Sequence, residues 1–239
     1  MGASSPSSVA ASADDYRALS TEELVSLGRG IEQRGRPHDD PNWGAVVALH
    51  ERGTREVMAA ARGLCGADDP IERRLGCLIL GEFGHDGIRP IGQQDRPYRD
   101  EILGMLHALL DRDEDPGVVR AAASAVRWWS DPRSVDWLLP LAGHRDASVR
   151  YAVADALAAT VPDWSRPDER VLAALLAFTR DESAHVRYSA VVDLASVITE
   201  ERALHDVSEV REALARALGD PDDGVRESAR EGLDALDST

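Results

Sequence analysis

One pattern of apolar and polar positions recurs along this chain. An acidic loop is followed by a Val-Arg pair and then by an alanine-rich run of helical periodicity. The arginines of the four clear copies, Arg120, Arg150, Arg187 and Arg226, lie 30, 37 and 39 residues apart. Repeats of this length are typical of proteins built from stacked helix pairs.

Each copy has the features of a helix start. An aspartate in the loop can accept hydrogen bonds from free backbone N–H groups, and Pro116 and Pro221 suit a first turn that needs no N–H donor. In three copies a leucine follows the arginine by seven positions, so it shares a buried stripe with the valine. A fifth, degraded copy at Glu72-Arg73 has Leu80 at the same spacing. The alanines between these positions let neighbouring helices approach closely.

A second amphipathic segment precedes each copy. Its apolar residues recur at steps of three and four, which predicts a helix. The sets are Val57, Met58, Ala61 and Leu64; Ile102, Leu103, Leu106, Leu109 and Leu110; Val135, Leu138, Leu139 and Ala142; Val171, Leu172, Leu175 and Leu176; and Val207, Val210, Leu214, Ala217 and Leu218. No segment alternates with period two. The sequence therefore predicts an all-α fold of five helix pairs.

These copies resemble the HEAT repeat family, especially its bacterial, bilin-lyase-like branch, in which the second helix of each unit begins with Val-Arg. The resemblance covers roughly residues 54–236 and implies a right-handed α-solenoid, an α-α superhelix. It also implies a ladder between successive units that is made by the turn aspartate and the arginine. Carried over to this chain, the ladder would pair Asp220 with Arg226 and Asp181 with Arg187, whereas His144 and Glu114 stand at the aspartate position in two other copies.

The rest of the chain is interpreted around this solenoid. Residues 1–18 are expected to be a disordered tail, and residues 19–53 are expected to form N-terminal capping helices. The solenoid occupies 54–236 and contains an inserted loop at 84–100. In that loop, His85 and Asp86 are the best polar pair, but no third partner for a metal or acid-base site is identifiable.

The charge of the chain limits its partners. Its 239 residues have a net charge of −16, and residues 200–239 contain 12 acidic and 5 basic side chains. We therefore expect no nucleic-acid partner, because non-specific affinity for nucleic acid depends on cations. The acidic end is interpreted either as a solvated face or as a docking surface for a basic protein. All 27 basic residues are arginine, which excludes P-loop and Schiff-base mechanisms that need lysine.

Several other classes of site find no support. Cys65 and Cys77 lie in apolar helical patterns and are expected to be buried thiols, as suits a reducing cytoplasm. No zinc-ligand spacing, membrane-length apolar run or signal peptide is present. We expect a cytoplasmic monomer with no metal, no cofactor and no membrane partner.

Related enzymes supply the alternative function. Deoxyhypusine hydroxylase shares the repeat architecture but uses repeated His-Glu pairs to hold iron, and His50-Glu51 is the sole such pair here. HEAT-like DNA glycosylases use aromatics, an acid and a basic groove, which Trp128, Trp129, Trp164 and Asp168 match only loosely. Bilin lyases share the repeat, but no residue here specifies a chromophore. The alternative to a binding protein is thus a HEAT-repeat enzyme of bilin-lyase-like or DNA-glycosylase-like type, and no catalytic residue is assigned.

A binding surface is better supported. Residues one, four to five and eight positions after each arginine lie away from the buried stripe, and in the family this side of the second helix faces the concave surface. Trp128, Tyr151, Asp155 and Tyr188 occupy these positions. Large aromatic rings are common binding hot spots. We therefore predict a non-enzymatic scaffold or adaptor that binds a partner protein through these four residues. The alternative, packing between repeats, is favoured for Trp129 and Trp137 and is equally favoured for Trp128 and Tyr151.

Overall fold

The structure is a computed structural model that describes residues 13–35, 40–85, 96, 98–199 and 207–237. Within those ranges it contains thirteen α-helices and no β-strand. The chain divides into two compact units, and each is described by itself. The first contains residues 1–89 and 95–97, and the second contains residues 90–94 and 98–239.

The first unit has five helices. They are α1 (Ala13–Ala18), α2 (Thr21–Arg34), α3 (Gly44–Arg52), α4 (Arg55–Cys65) and α5 (Pro70–Gly81). α4 and α5 pack against each other as a helix pair. The ion pairs Arg29–Glu72 and Arg74–Glu32 join α5 to α2, with N–O distances of 2.6 and 3.1 Å.

Residues 13–18, assigned above to a disordered tail, form α1. Tyr16 is the reason, because its side chain is only 4% exposed and packs on α3. A Cβ added to Gly44 would lie 2.5 Å from the Tyr16 ring, so this contact requires a glycine in α3. Residues 1–12 of the expected tail lie outside the described residues.

The second unit contains the other four helix pairs. Its helices are α6 (Arg99–Arg112), α7 (Pro116–Arg127), α8 (Val135–Leu138), α9 (Ala147–Ala159), α10 (Glu169–Phe178), α11 (Ala184–Thr199), α12 (Ser208–Ala217) and α13 (Asp223–Asp237). The second helices stack in chain order, since α7 packs on α9, α9 on α11 and α11 on α13. The five predicted helix pairs and the α-solenoid fold are confirmed.

The first helix of the third pair is shorter than predicted. The apolar pattern of residues 135–142 predicts one helix, but α8 has only four residues and is flanked by 3-10 turns at Pro132–Ser134 and Leu139–Leu141. Pro140 accounts for the break, because it lacks the N–H that a continuing α-helix needs and its ring obstructs the preceding turn. Val135 and Leu138 are still buried.

The predicted aspartate caps are present at four of the second helices. Asp69, Asp115, Asp146 and Asp222 accept backbone N–H groups of the first turns of α5, α7, α9 and α13 at 2.9, 3.0, 2.8 and 3.1 Å. Each carboxylate thus satisfies a donor that the helix leaves without an internal partner.

An arginine ladder joins successive pairs, but its pairing differs from the expected one. Asp181 and Asp220 do not pair through their carboxylates with the arginines of their own copies. Instead Arg150 donates two hydrogen bonds to the Asp181 carboxylate, at 2.7 and 2.8 Å, and Arg187 does the same to Asp220. Each arginine also donates to a turn carbonyl of its own copy, as Arg187 does to Asp181 at 2.9 Å and Arg226 to Asp220 at 2.6 Å.

The ladder does not include Arg120. The equivalent position in the next copy is His144, whose backbone carbonyl accepts from Arg150 at 2.7 Å. In the described part of the chain Arg120 is exposed and has no carboxylate partner.

The inserted loop is shorter than predicted at its C-terminal end. Arg99 and Asp100 belong to α6, and Tyr98 precedes the helix with a positive φ of 62°. Within the loop, Arg96 donates to the backbone carbonyl of Phe83 at 2.7 Å. Asp86, the partner proposed for His85, lies outside the described residues.

Both cysteines are buried, as predicted. Cys65 is 9% exposed and Cys77 is fully buried, and they are not joined. Of the helices in the described ranges, none is long and apolar enough to cross a membrane.

Candidate functional site

The candidate site lies on the second helices of the second unit. These helices pack against one another more extensively than the first helices do. The four residues predicted from the sequence lie on these second helices or at their ends.

The two tyrosines are exposed at equivalent positions of adjacent helices. Tyr151 of α9 is 43% exposed and Tyr188 of α11 is 44% exposed. The Tyr188 ring also borders α13, since a Cβ on Gly224 would lie 3.5 Å from it. Somewhat less than half of each residue is therefore available to a partner.

The tryptophans differ in burial. Trp128 is half-buried at the end of α7, and the Arg127 guanidinium lies 5.5 Å from its ring centroid. Trp129 is fully buried, as predicted. Trp137 is expected to pack between repeats, and it stacks on His107 of the preceding pair at 4.0 Å between ring centroids. It remains 38% exposed, because it lies at the edge of this contact between α8 and α6.

Asp155 forms an ion pair with Arg127, at 2.8 Å between Oδ2 and Nε. This pair connects α9 to the end of α7, where Trp128 lies. Tyr151 lies near the same ion pair. Partial burial raises the pKa of its hydroxyl, and the nearby carboxylates of Asp155 and Asp193 raise it further. Trp128, Tyr151, Asp155 and Tyr188 are called the aromatic strip below.

A cavity of about 310 Å³ opens beside the strip. It is lined by Arg127, Asp155, Ala158, Ala159, Val161, Trp164, Asp193 and Ser196, and is called the Asp193 pocket below. Its three ionisable side chains, Arg127, Asp155 and Asp193, come from three successive second helices. The indole of Trp164, which is 8% exposed, and the two alanines provide apolar walls.

Asp193 lacks the cation that Asp155 has. Among the described residues, its side chain accepts one long hydrogen bond, from the Ser189 hydroxyl at 3.5 Å. Burial, together with the neighbouring Asp155 carboxylate, raises the pKa of Asp193 to about 8, although Arg127 acts in the opposite direction. At neutral pH this side chain is therefore mostly a neutral carboxylic acid.

Sequence reasoning missed both Asp193 and Arg127. Alignment of the four copies on their Val-Arg pairs could have found them. Six positions after the arginine, Asp193 stands where the other copies have Val126, Ala156 and Gly232, all buried. Seven positions after it, Arg127 stands where the others have Leu157, Leu194 and Leu233. Two charged residues thus replace apolar residues of the buried stripe, and both reach the same pocket.

The remaining candidates lack the surroundings of a site. His50 of α3 is buried, its Nε2 lies 2.9 Å from the Leu78 carbonyl, and burial lowers its pKa to about 4. It therefore serves the packing of α3 on α5. The described ranges contain no group of three or more His, Cys, Asp or Glu side chains placed to hold a metal.

Sequence comparison identifies the family. A family model described as HEAT repeats matches residues 64–158 and 102–195, which together span more than half of the chain. The chain belongs to the HEAT repeat family. No curated protein matches it by sequence.

Several solved structures share the fold. The Escherichia coli protein YibA is 19% identical with a TM-score of 0.70, covering 98% of this chain and 77% of that one. A designed armadillo repeat protein in complex with the peptide (KR)4 is 15% identical with a TM-score of 0.53, covering 91% and 100%. The complex of CpcE and CpcF of phycocyanin lyase from Nostoc sp. PCC7120 is 20% identical with a TM-score of 0.53, covering 74% and 99%. At these identities the likeness concerns the fold alone.

Proposed function

We propose that this HEAT-repeat chain is a non-enzymatic scaffold that binds a partner protein through the aromatic strip. The observation that carries the proposal is the exposure of Tyr151 and Tyr188 on adjacent second helices, beside the Arg127–Asp155 ion pair. Exposed tyrosines offer large contact areas at a small cost in side-chain entropy. The armadillo neighbour, which holds a peptide, supports a binding role for this architecture.

Site-specific photocrosslinking in cells of the source organism tests the proposal. A photoreactive phenylalanine analogue at Tyr151 or at Tyr188 should capture one protein, which is then purified for direct binding measurements. The same analogue at Leu218, the exposed apolar residue that follows α12, is the control and should not capture it.

Substitution of the strip completes the test. Because contact area at hot spots dominates affinity, Tyr151→Ala with Tyr188→Ala should weaken binding of the purified partner at least about tenfold. Circular dichroism should show an unchanged fold. Equal binding by the wild type and the double variant would refute the strip as the docking surface.

A second candidate is an enzyme of bilin-lyase-like type. The phycocyanin lyase neighbour raises it, and the neutral carboxyl group of Asp193 in an open cavity is the observation in its favour, since such a group can donate a proton at neutral pH. Incubation with a bilin and phycocyanin subunits that lack it would distinguish the two functions. Formation of coloured phycocyanin that Asp193→Asn abolishes would favour the enzyme.

A further inference from the structure

The Asp193 pocket interrupts a regular pattern at two places. The stripe positions taken by Asp193 and Arg127 are apolar in the other copies, and charged groups are costly to bury unless they are paired. Departures from an otherwise consistent pattern are expected at functional sites. A carboxylate with a structural role in this chain is paired with an arginine: Arg187 donates two short hydrogen bonds to Asp220. Asp193 receives no comparable donor from a described residue.

The pocket contains two carboxyl groups and one cation. Arg127 is engaged with Asp155 at 2.8 Å, which leaves the second carboxyl group without a cation of its own. One positive charge brought in from outside would complete a set of two cations and two carboxylates. The Trp164 ring in the wall can also contact a cation favourably. The volume of about 310 Å³ is enough for the end of a long side chain.

We propose that the Asp193 pocket receives one lysine or arginine side chain of the partner protein, and that its entry releases a proton from the Asp193 carboxyl group to the solvent. The inference rests on the proposed function and names the chemistry of the partner. Before binding, Asp193 is neutral; in the complex it is a carboxylate paired with the incoming cation. The proton therefore passes to water, and the affinity rises with pH.

The groups around Asp193 define this pH dependence. Asp155 and Tyr151 face it from α9, Arg127 faces it from α7, and Ser189 lies on its own helix. From α13, Glu231 lines a shallow surface that adjoins Ser196 at the pocket edge. No described residue of α10 or α12 lines the pocket. Among these groups Asp193 is the one whose pKa is raised to about 8, so binding measured between pH 6.5 and 8 reports on it.

The first experiment follows the titration of Asp193 by carbon-13 NMR of labelled aspartate carboxyl groups. The probe is the peptide acetyl-Gly-Ser-Arg-Ser-Gly-amide, and its control contains citrulline, which has the same shape as arginine without the charge. Saturating arginine peptide should lower the titration midpoint of Asp193 by about one pH unit or more, and citrulline peptide should leave it in place. An unchanged midpoint with arginine peptide would overturn the proposal.

The second experiment measures affinity for the same peptide. Binding to the wild type should strengthen by up to about tenfold per pH unit between pH 6.5 and 8, because proton release is coupled to binding. Asp193→Asn should bind weakly and equally at both values. Glu227→Gln, which changes an exposed carboxylate of α13, should keep the wild-type dependence. Persistence of the pH dependence in Asp193→Asn would contradict the inference.

The two proposals fail separately. If the captured partner needs Tyr151 and Tyr188 but binds the wild type and Asp193→Asn equally at every pH, the strip stands and the cation pocket is refuted. If the partner binds without the tyrosines, the strip is refuted, and the NMR titration still decides the pocket.

Discussion

At the scale of single residues, the most unusual group is a carboxyl placed where the repeat normally has a small apolar side chain. Asp193 is half-buried in the wall of its pocket, and its nearest charged neighbours are one carboxylate and one guanidinium that already form a pair. Such a group can remain in the interior as a neutral acid, because the protonated form has a far smaller cost of burial. The stability of the fold should therefore depend on its titration.

The sign of that dependence follows from the two pKa values. Unfolded aspartate loses its proton near pH 3.8, whereas Asp193 in the folded chain keeps it up to about pH 8. Between these values the folded state binds more protons than the unfolded state, so the contribution of Asp193 to the free energy of unfolding falls as pH rises. Asp193→Asn removes this loss and should be more stable than the wild type at pH 8 by roughly 1–3 kcal/mol.

Urea unfolding followed by circular dichroism between pH 5 and 8.5, at constant ionic strength, measures this difference. Glu227→Gln is the control and should follow the wild-type curve, because Glu227 is exposed. Equal slopes for the wild type and Asp193→Asn would show that Asp193 is ionised in the folded state.

At the scale of elements, the arginine ladder fixes one helix pair to the next. Arg187 and Asp220 are only 13% and 9% exposed, and the guanidinium donates through two nitrogens to both carboxylate oxygens. This paired geometry is specific to arginine, because a lysine ammonium cannot reproduce the planar fork. A chain that contains no lysine supplies this residue in every copy.

We expect Arg187→Lys to lower the free energy of unfolding by roughly 1–3 kcal/mol, through loss of one of two charge-assisted hydrogen bonds. The chain provides a matched control in Arg120→Lys, at the equivalent position of α7 without a carboxylate partner. That change should cost less than about 0.5 kcal/mol. Chemical denaturation of both variants compares them, and equal losses would refute the role of the ladder.

Glycines within the first unit give a second pair of variants. A Cβ on Gly76 of α5 would lie 2.6 Å from the Cys65 Sγ and 2.9 Å from its backbone nitrogen, so Gly76→Ala should destabilise the protein by roughly 1–3 kcal/mol. Gly63 of α4 has open space around it, and Gly63→Ala should stabilise the protein by about 0.5–1 kcal/mol. The midpoint of thermal unfolding should fall in Gly76→Ala and rise in Gly63→Ala. An unchanged midpoint in Gly76→Ala would mean that α4 and α5 can move apart without loss of stability.

The elements were largely predictable from the sequence, and the pocket was not. Periodicity and aspartate caps located the second helices because both signals are local. The apolar pattern overpredicts the length of the first helix of the third pair, because that pattern takes no account of Pro140. The tail prediction fails at Tyr16, because Gly44, which leaves room for the Tyr16 ring, is distant in sequence. The positions of the aromatic strip can be predicted from helical geometry. The role of Asp193 cannot, because it emerges only when the copies are aligned and when Asp155 and Arg127, which lie on other helices, are seen beside it.

At the scale of the whole molecule, the composition constrains partners more than the fold does. HEAT repeats host many functions, so the family assignment identifies an architecture and leaves the role to particular residues. The net charge of −16 gives the chain a field that repels polyanions and attracts cations. A basic side chain as the occupant of the Asp193 pocket agrees with that field.

The same charge predicts that the chain does not bind DNA. Duplex DNA should migrate unretarded with about 10 µM protein at about 150 mM salt, because few phosphates could be neutralised and few counterions released. A gel-shift assay with a basic DNA-binding domain as the positive control measures this. A retarded band that weakens steeply with added salt would reveal a basic groove and would favour the glycosylase-like alternative.

The presence of Arg127 and Asp193 at positions that are apolar in the other copies also has a consequence for protein engineering. Arg127 and Asp193 lie on helices that are built on the same repeat pattern as the other second helices. If the Asp193 pocket binds a basic side chain, changes at these two positions should alter that specificity and leave the helix stack intact. Arg127→Leu with Asp193→Ala should give a repeat array that no longer binds a basic side chain. Introducing an arginine and an aspartate at the equivalent positions of other second helices should create further binding sites, separated by the distance between those helices.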